Sequence, residues 1–127
     1  MGRDHAEHNR DCCNSLHSVG KFNDWVVTTT FYAALHFVSN EIFPLSVKGK
    51  RYVDLDDYYR QLPNPKKSKH LELNELVRRN ISLVKGQYKW LYDNCMSARY
   101  KNYNISPQNA GKAKKYMDDI EKACIKP

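Results

Sequence analysis

The chain has no glycine-rich phosphate loop, no nucleophile elbow and no pair of Cys-x-x-Cys motifs. The first absence removes the usual cradle of P-loop and dinucleotide-binding enzymes. The second removes a serine hydrolase of the α/β type, and the third a zinc ribbon. Long apolar runs are missing too. Phe31 to Val38 is the most hydrophobic stretch, and His36, Asn40 and Glu41 interrupt and close it. That is far short of the ~20 residues of a membrane-spanning helix, so no membrane partner is expected. The first twenty residues carry Arg3, Asp4, Glu7, Arg10 and Asp11 in place of a secretion signal, and Met1-Gly2-Arg3-Asp4-His5-Ala6 lacks the Ser or Thr of a myristoylation site. Cysteine is sparse, with Cys12, Cys13, Cys95 and Cys124. The expectation is reduced thiols in a cytoplasmic protein and not a disulfide framework. Acidic residues are also few: 14 Asp and Glu against 21 Lys and Arg leave a formal charge of +7. Such a surplus favours nucleic acid, a nucleotide or an acidic protein as partner, although many domains carry it as a solvated face.

What is present is helical periodicity. The 127 residues suit one domain, 1–127, with a single core. A first helix is predicted from about Asp4 to Ser18, with Ala6, Asn9, Cys13 and Leu16 on one face and Gly20 as its stop. A second opens at Asn23 or Asp24 as N-cap and runs to about Phe43, where Pro44 ends it. Its apolar residues wrap more than one face, which marks a central helix touched by several neighbours. Thr28-Thr29-Thr30 suits a strand better, but a run of about 19 residues is too long for one.

The third helix carries the clearest pattern. Leu73, Val77, Ile81, Val84, Tyr88, Leu91, Cys95 and Ala98 are spaced 4-4-3-4-3-4-3, one stripe over about seven turns. Gly86 is placed on its exposed side. A fourth helix starts with Ser106 as N-cap and Pro107 in its first turn, and buries Ala110, Ala113, Met117, Ile120 and Cys124. The fold class is therefore all-α, an up-down antiparallel four-helix bundle. Its long basic connection, about 44–69, holds a candidate short helix over Asp54 to Leu62, with Leu55, Tyr58, Tyr59 and Leu62 turned inward. Basic clusters flank that helix, Lys48-Gly49-Lys50-Arg51 and Lys66-Lys67-Ser68-Lys69. They read either as solvated turns or as a rim that attracts phosphate.

Recognition chemistry is densest from Cys95 to Pro107, where a helix closes on Arg99, Tyr100, Lys101, Asn102 and Tyr103 before the next begins. A cation beside aromatic and amide groups can meet both the phosphate and the base of a nucleotide. The alternative is that Tyr100 and Tyr103 pack the bundle end while Arg99 and Lys101 face water. Candidate binding residues are Arg99, Tyr100, Asn102 and Tyr103, with Lys50, Arg51, Lys66, Lys67 and Arg79 as phosphate contacts. His36, within the apolar face of the second helix, reads first as a core histidine bonded to a neighbour. His70, at the start of the third helix, is expected to be exposed, where it can act as acid, base or phosphate contact. His5, His8 and Cys12 share a helical face, as do Cys13 and His17. A structural zinc site recruits ligands from two elements, so no metal and no cofactor are expected.

Asp24-Trp25-Val26-Val27-Thr28-Thr29-Thr30-Phe31-Tyr32-Ala33-Ala34-Leu35-His36 resembles the second helix of HEPN-type domains. His8-Asn9, His70 followed by Leu76 and Val77, then Tyr88, Leu91 and Ser97-Ala98-Arg99-Tyr100 are similar to one prokaryotic branch of that family. The resemblance spans about residues 5 to 123. It implies a helical bundle that often forms a homodimer and binds RNA or nucleotides. Active members are metal-independent ribonucleases of toxin–antitoxin or antiviral systems. Their signature is an Arg, a polar residue and a His four to six positions after the Arg. Here Arg99 is followed by Tyr100-Lys101-Asn102-Tyr103-Asn104-Ile105-Ser106, with no His. Arg3 to His8 and Arg10 to His17 meet the spacing in the wrong helix.

Three functions follow, in this order. The first is a non-catalytic module binding RNA or a nucleotide. The second is a ribonuclease with a displaced catalytic histidine, His70 or His36, set against Arg99. The third is a helical interaction subunit docked to a protein partner from the same system.

Overall fold

The computed structural model describes residues 2–65 and 67–127; Lys66, expected as a phosphate contact, lies outside the described residues. Helix α1 spans Gly2–Val19, α2 Asn23–Ile42, α3 Leu55–Arg60, α4 Lys69–Asn80, α5 Lys85–Tyr100 and α6 Pro107–Ala123. Two short strands, β1 at Leu45–Val47 and β2 at Lys50–Tyr52, pair antiparallel with Val47 opposite Lys50. The chain is thus all-α apart from one small hairpin. Among the described residues no helix is long and apolar enough to cross a membrane.

α2 is the central element, as its breadth of apolar residues predicts. Val26, Val27, Phe31, Ala33, Ala34, Phe37 and Val38 are buried on several sides, and α1, α4, α5 and α6 all pack against it. His5 meets His36 and Cys13 meets Thr29, so α1 runs antiparallel to α2. Asn23 Nδ2 donates to the Ile105 carbonyl at 3.1 Å, and the Lys126 amide donates to Glu41 at the opposite end. α6 therefore runs parallel to α2. Trp90 on α5 meets Tyr116 on α6 edge to face at 5.3 Å.

The stripe from Leu73 to Ala98 is buried at all eight positions, but it is not one rod. α4 stops at Asn80, and Ser82–Val84 form a 3-10 turn before α5. Asn80, the last residue of α4, donates its side-chain amide to the Leu76 carbonyl at 2.8 Å. Ile81 then leaves the helical region at φ −134°, ψ 55°. The tighter turn keeps Ile81 and Val84 facing the core, so the apolar spacing survives the break.

Other termini follow local chemistry. Ser106 Oγ accepts from the Asn109 amide at 3.1 Å, with Pro107 in the first turn of α6, as the sequence predicts. Gly20 takes φ +76° after α1, a conformation glycine adopts without strain. Neither Asn23 nor Asp24 caps α2; Phe22 holds that position without a side-chain bond, and both polar residues lie in the first turn of the helix. The connection holds more order than expected. The hairpin turns through Lys48 and Gly49, both at positive φ, the pattern of a primed two-residue turn. Asp54 caps α3 by accepting from the Asp57 amide. Leu55, Tyr58, Tyr59 and Leu62 are half-buried, and Tyr52, Phe43 and Tyr58 stack edge to face.

Candidate functional site

The α5–α6 junction is open. Tyr100 is 72% exposed and Tyr103 70%, which removes the alternative in which both rings pack the interior. Arg99 is exposed at the last turn of α5. Its guanidinium lies 5.6 Å from the Tyr100 ring centre, and its Nη1 donates to the Tyr32 hydroxyl at 3.1 Å. Among the described residues no carboxylate pairs with Arg99, Lys101 or Lys21. Asn102 turns inward on its own loop, where its side-chain oxygen accepts from the Asn104 amide at 2.9 Å. Tyr103 borders a depression of about 330 Å³ with Lys21, Asn23 and Asp24. The α1–α2 turn and the α5–α6 loop thus form one end of the molecule. Phe22 and Trp25, 48% and 51% exposed, flank Asn23 and Asp24 there, and sequence reasoning missed both.

A second concavity begins at Tyr32. It measures about 450 Å³ and is lined by Tyr32, Leu35, His36, Ser39, Asp54, Leu55, Asp56, Lys69 and His70. The two histidines singled out from the sequence therefore share one groove, with Arg99 reaching its Tyr32 rim. Neither stands as expected. His36 is half-exposed, has no hydrogen bond among the described residues, and packs its ring 5.1 Å from that of His5. His70 is half-buried, edge-on to Phe31 at 5.7 Å and tilted against Tyr92 at 6.0 Å. Its Nδ1 is buried without a partner. Burial pushes both imidazoles below their ordinary pKa, helped by His5 at His36 and by Lys69 at His70. Both rings are held in the neutral form, able to accept a proton.

The remaining basic candidates stand elsewhere. Lys50 and Arg51 are exposed on the hairpin, Lys50 with its ammonium 5.6 Å from the Tyr52 ring centre. Lys67 is exposed in the loop before α4. Arg79 is exposed near the end of α4, where its charge acts on Tyr58. The 16 residues of α5 span about 24 Å at 1.5 Å each, and that length separates the Arg79 end from the Arg99 end. Lys69 is not free, because it pairs with Asp56. Three of the four thiols are inert by burial, which raises Cys13 and Cys95 to about 11 and Cys124 to about 12, whereas Cys12 is exposed.

Compared with known proteins, the chain matches no family model, no curated protein and no solved structure. The likeness to HEPN domains therefore stands on the residues quoted for it.

Proposed function

We propose that this is a HEPN-like RNA- or nucleotide-binding protein, non-catalytic, that receives its guest at the Arg99 end of an up-down antiparallel four-helix bundle made of α1, α2, α5 and α6. The observation that carries the reading is an exposed guanidinium flanked by phenols, with no carboxylate among the described residues to neutralise it. Surface arginines without a protein anion are available for charge-assisted bonds to phosphate. The rings of Tyr100 and Tyr103 offer open faces on which bases stack. The surplus of +7 supports an anionic guest. Titration of a labelled single-stranded RNA at low salt, followed by fluorescence anisotropy, tests it. Wild type binds and Arg99→Ala binds several-fold more weakly; equal binding by the variant rejects the assignment.

A second reading, metal-independent phosphodiester cleavage, has one observation in its favour. His36 and His70 line the groove whose Tyr32 rim bonds Arg99, and burial keeps both neutral. A neutral imidazole can take the proton of a ribose 2′-hydroxyl while a guanidinium offsets phosphate charge. RNA cut in EDTA by wild type and left intact by His70→Ala supports this reading; RNA left whole by wild type rejects it.

A further inference from the structure

α2 is covered on two flanks and only partly exposed between them, with Thr29 and His36 at the edge of that exposed strip against α1. On one flank α1 closes it, with His5 at His36 and Cys13 at Thr29. On the other stand α5 and α4, with Cys95 at Thr28 and the rings of Tyr92 and His70 against Phe31. Trp25, Thr29, Tyr32, His36 and Ser39 run between these flanks, spaced four, three, four and three. That spacing places them on one strip of the helix. Trp25 is exposed and the other four are half-exposed, whereas Val26, Val27, Phe31 and Phe37 beside them are buried. Fourteen residue steps at 1.5 Å give a strip about 21 Å long.

The two ends of the strip differ in charge. The Trp25 end adjoins Lys21, Asp24 and the Tyr103 loop. Arg99 stands at its middle, on Tyr32. The far end closes on Asp54 and Asp56, and Lys69, the cation that lines it among the described residues, is already paired with Asp56. Among the described residues, Arg99, Lys101 and Lys21 have no carboxylate partner and outnumber Asp24 at one end, which draws phosphate in, whereas Asp54 and Asp56 outnumber Lys69 at the other, which turns it away. Between them the rings of Trp25, Tyr32 and His36 follow one another at the spacing of helical turns.

We infer that this strip is a track for a single-stranded RNA segment that enters over Tyr100 and Tyr103, stacks bases on Trp25 and Tyr32, and stops before Asp54 and Asp56. The inference rests on the reading of the Arg99 end as a phosphate site and makes its guest a polynucleotide in place of a mononucleotide. A track of this length fits about four nucleotides, the short end of single-strand sites. Base–aromatic stacking supplies attraction without regard to sequence.

The test titrates the full chain with uridine monophosphate and with oligouridylates of two, four and eight nucleotides. Affinity rises steeply to the tetramer and changes little beyond it. Trp25→Ala weakens the tetramer about tenfold, as loss of one stacked base does. Trp25→Phe retains most of the affinity, and the monophosphate is indifferent to either change. Trp25 is half-exposed, and melting curves for both variants confirm folding. If Trp25→Ala binds the tetramer as wild type does while Arg99→Ala does not, the track is wrong and the loop-end reading survives. If neither monophosphate nor oligomer binds wild type, the loop-end reading fails and the track falls with it. If sedimentation shows a homodimer that Trp25→Ala dissociates, the strip belongs to a second copy of the chain and the track is overturned.

Discussion

Salt dependence of RNA binding gives the sharpest quantitative expectation. Three cations at the open end, Arg99, Lys101 and Lys21, have no ion-pair partner among the described residues. If each meets one phosphate of a single strand, log affinity falls against log salt with a slope of about −0.7 per contact, or about −2.1 in all. Raising salt fourfold, from about 50 to 200 mM, then weakens binding about 18-fold. Arg99→Ala removes one contact, so the slope flattens to about −1.4 and the same step costs about 7-fold. At the lower salt the variant also loses the charge-assisted bond itself. For an exposed group that bond is discounted to about 1–2 kcal/mol, a 5- to 30-fold loss. Anisotropy titrations at four salt concentrations measure both quantities. A steep wild-type slope that Arg99→Ala leaves unchanged refutes the assignment, because the phosphate contacts then lie elsewhere, with the hairpin cations Lys50 and Arg51 the first to examine.

Tyr88 is wholly buried and its hydroxyl has no partner; burial drives its pKa strongly upward. Tyr88→Phe removes an unsatisfied polar group worth about 1–2 kcal/mol and raises the melting temperature by about 4 °C per kcal/mol; a lower melting temperature shows that the hydroxyl is satisfied. His36 and His70 have folded pKa values below the ordinary 6.5, so the unfolded chain binds protons more readily than the folded one. Their contribution is present above the unfolded value and is lost as pH falls through it toward the folded values. Melting temperature therefore drops between neutral pH and about pH 5, and His36→Gln with His70→Gln flattens the drop; an unaltered profile in the double variant assigns the effect to other groups.

Sequence periodicity located the core with little loss. The eight residues of the Leu73–Ala98 stripe are all buried, since burial is recorded in apolar spacing whether or not the backbone is continuous. The break after Asn80 is not visible in that spacing, because the 3-10 turn over Ser82–Val84 keeps the apolar residues on the core side. Ser106 and Pro107 were legible because an N-cap acts within one turn. Asn23 and Asp24 both have cap-forming side chains, but the cap position of α2 falls ahead of them, at Phe22, so neither serves as its cap. The Lys48-Gly49 turn is one of the two readings the basic cluster offers, but the short strands that it joins are not marked in the sequence. Arg99, Tyr100 and Tyr103 were visible as a local concentration of chemistry. Tyr32, Trp25 and Phe22 were not, since their place at the site is set by helix packing. The bond from Arg99 to Tyr32 joins residues 67 apart, beyond any local pattern. His70 was expected in solvent because the Phe31 and Tyr92 rings that cover it belong to other helices.

Amide chemical-shift mapping with a short single-stranded RNA tests the central claim most directly. Shifts concentrated at residues 99–106, the α1–α2 turn from Lys21 to Trp25, and Tyr32 are the expected result. Shifts confined to the hairpin and the Arg79 end, or a spectrum unmoved by saturating RNA, contradict it.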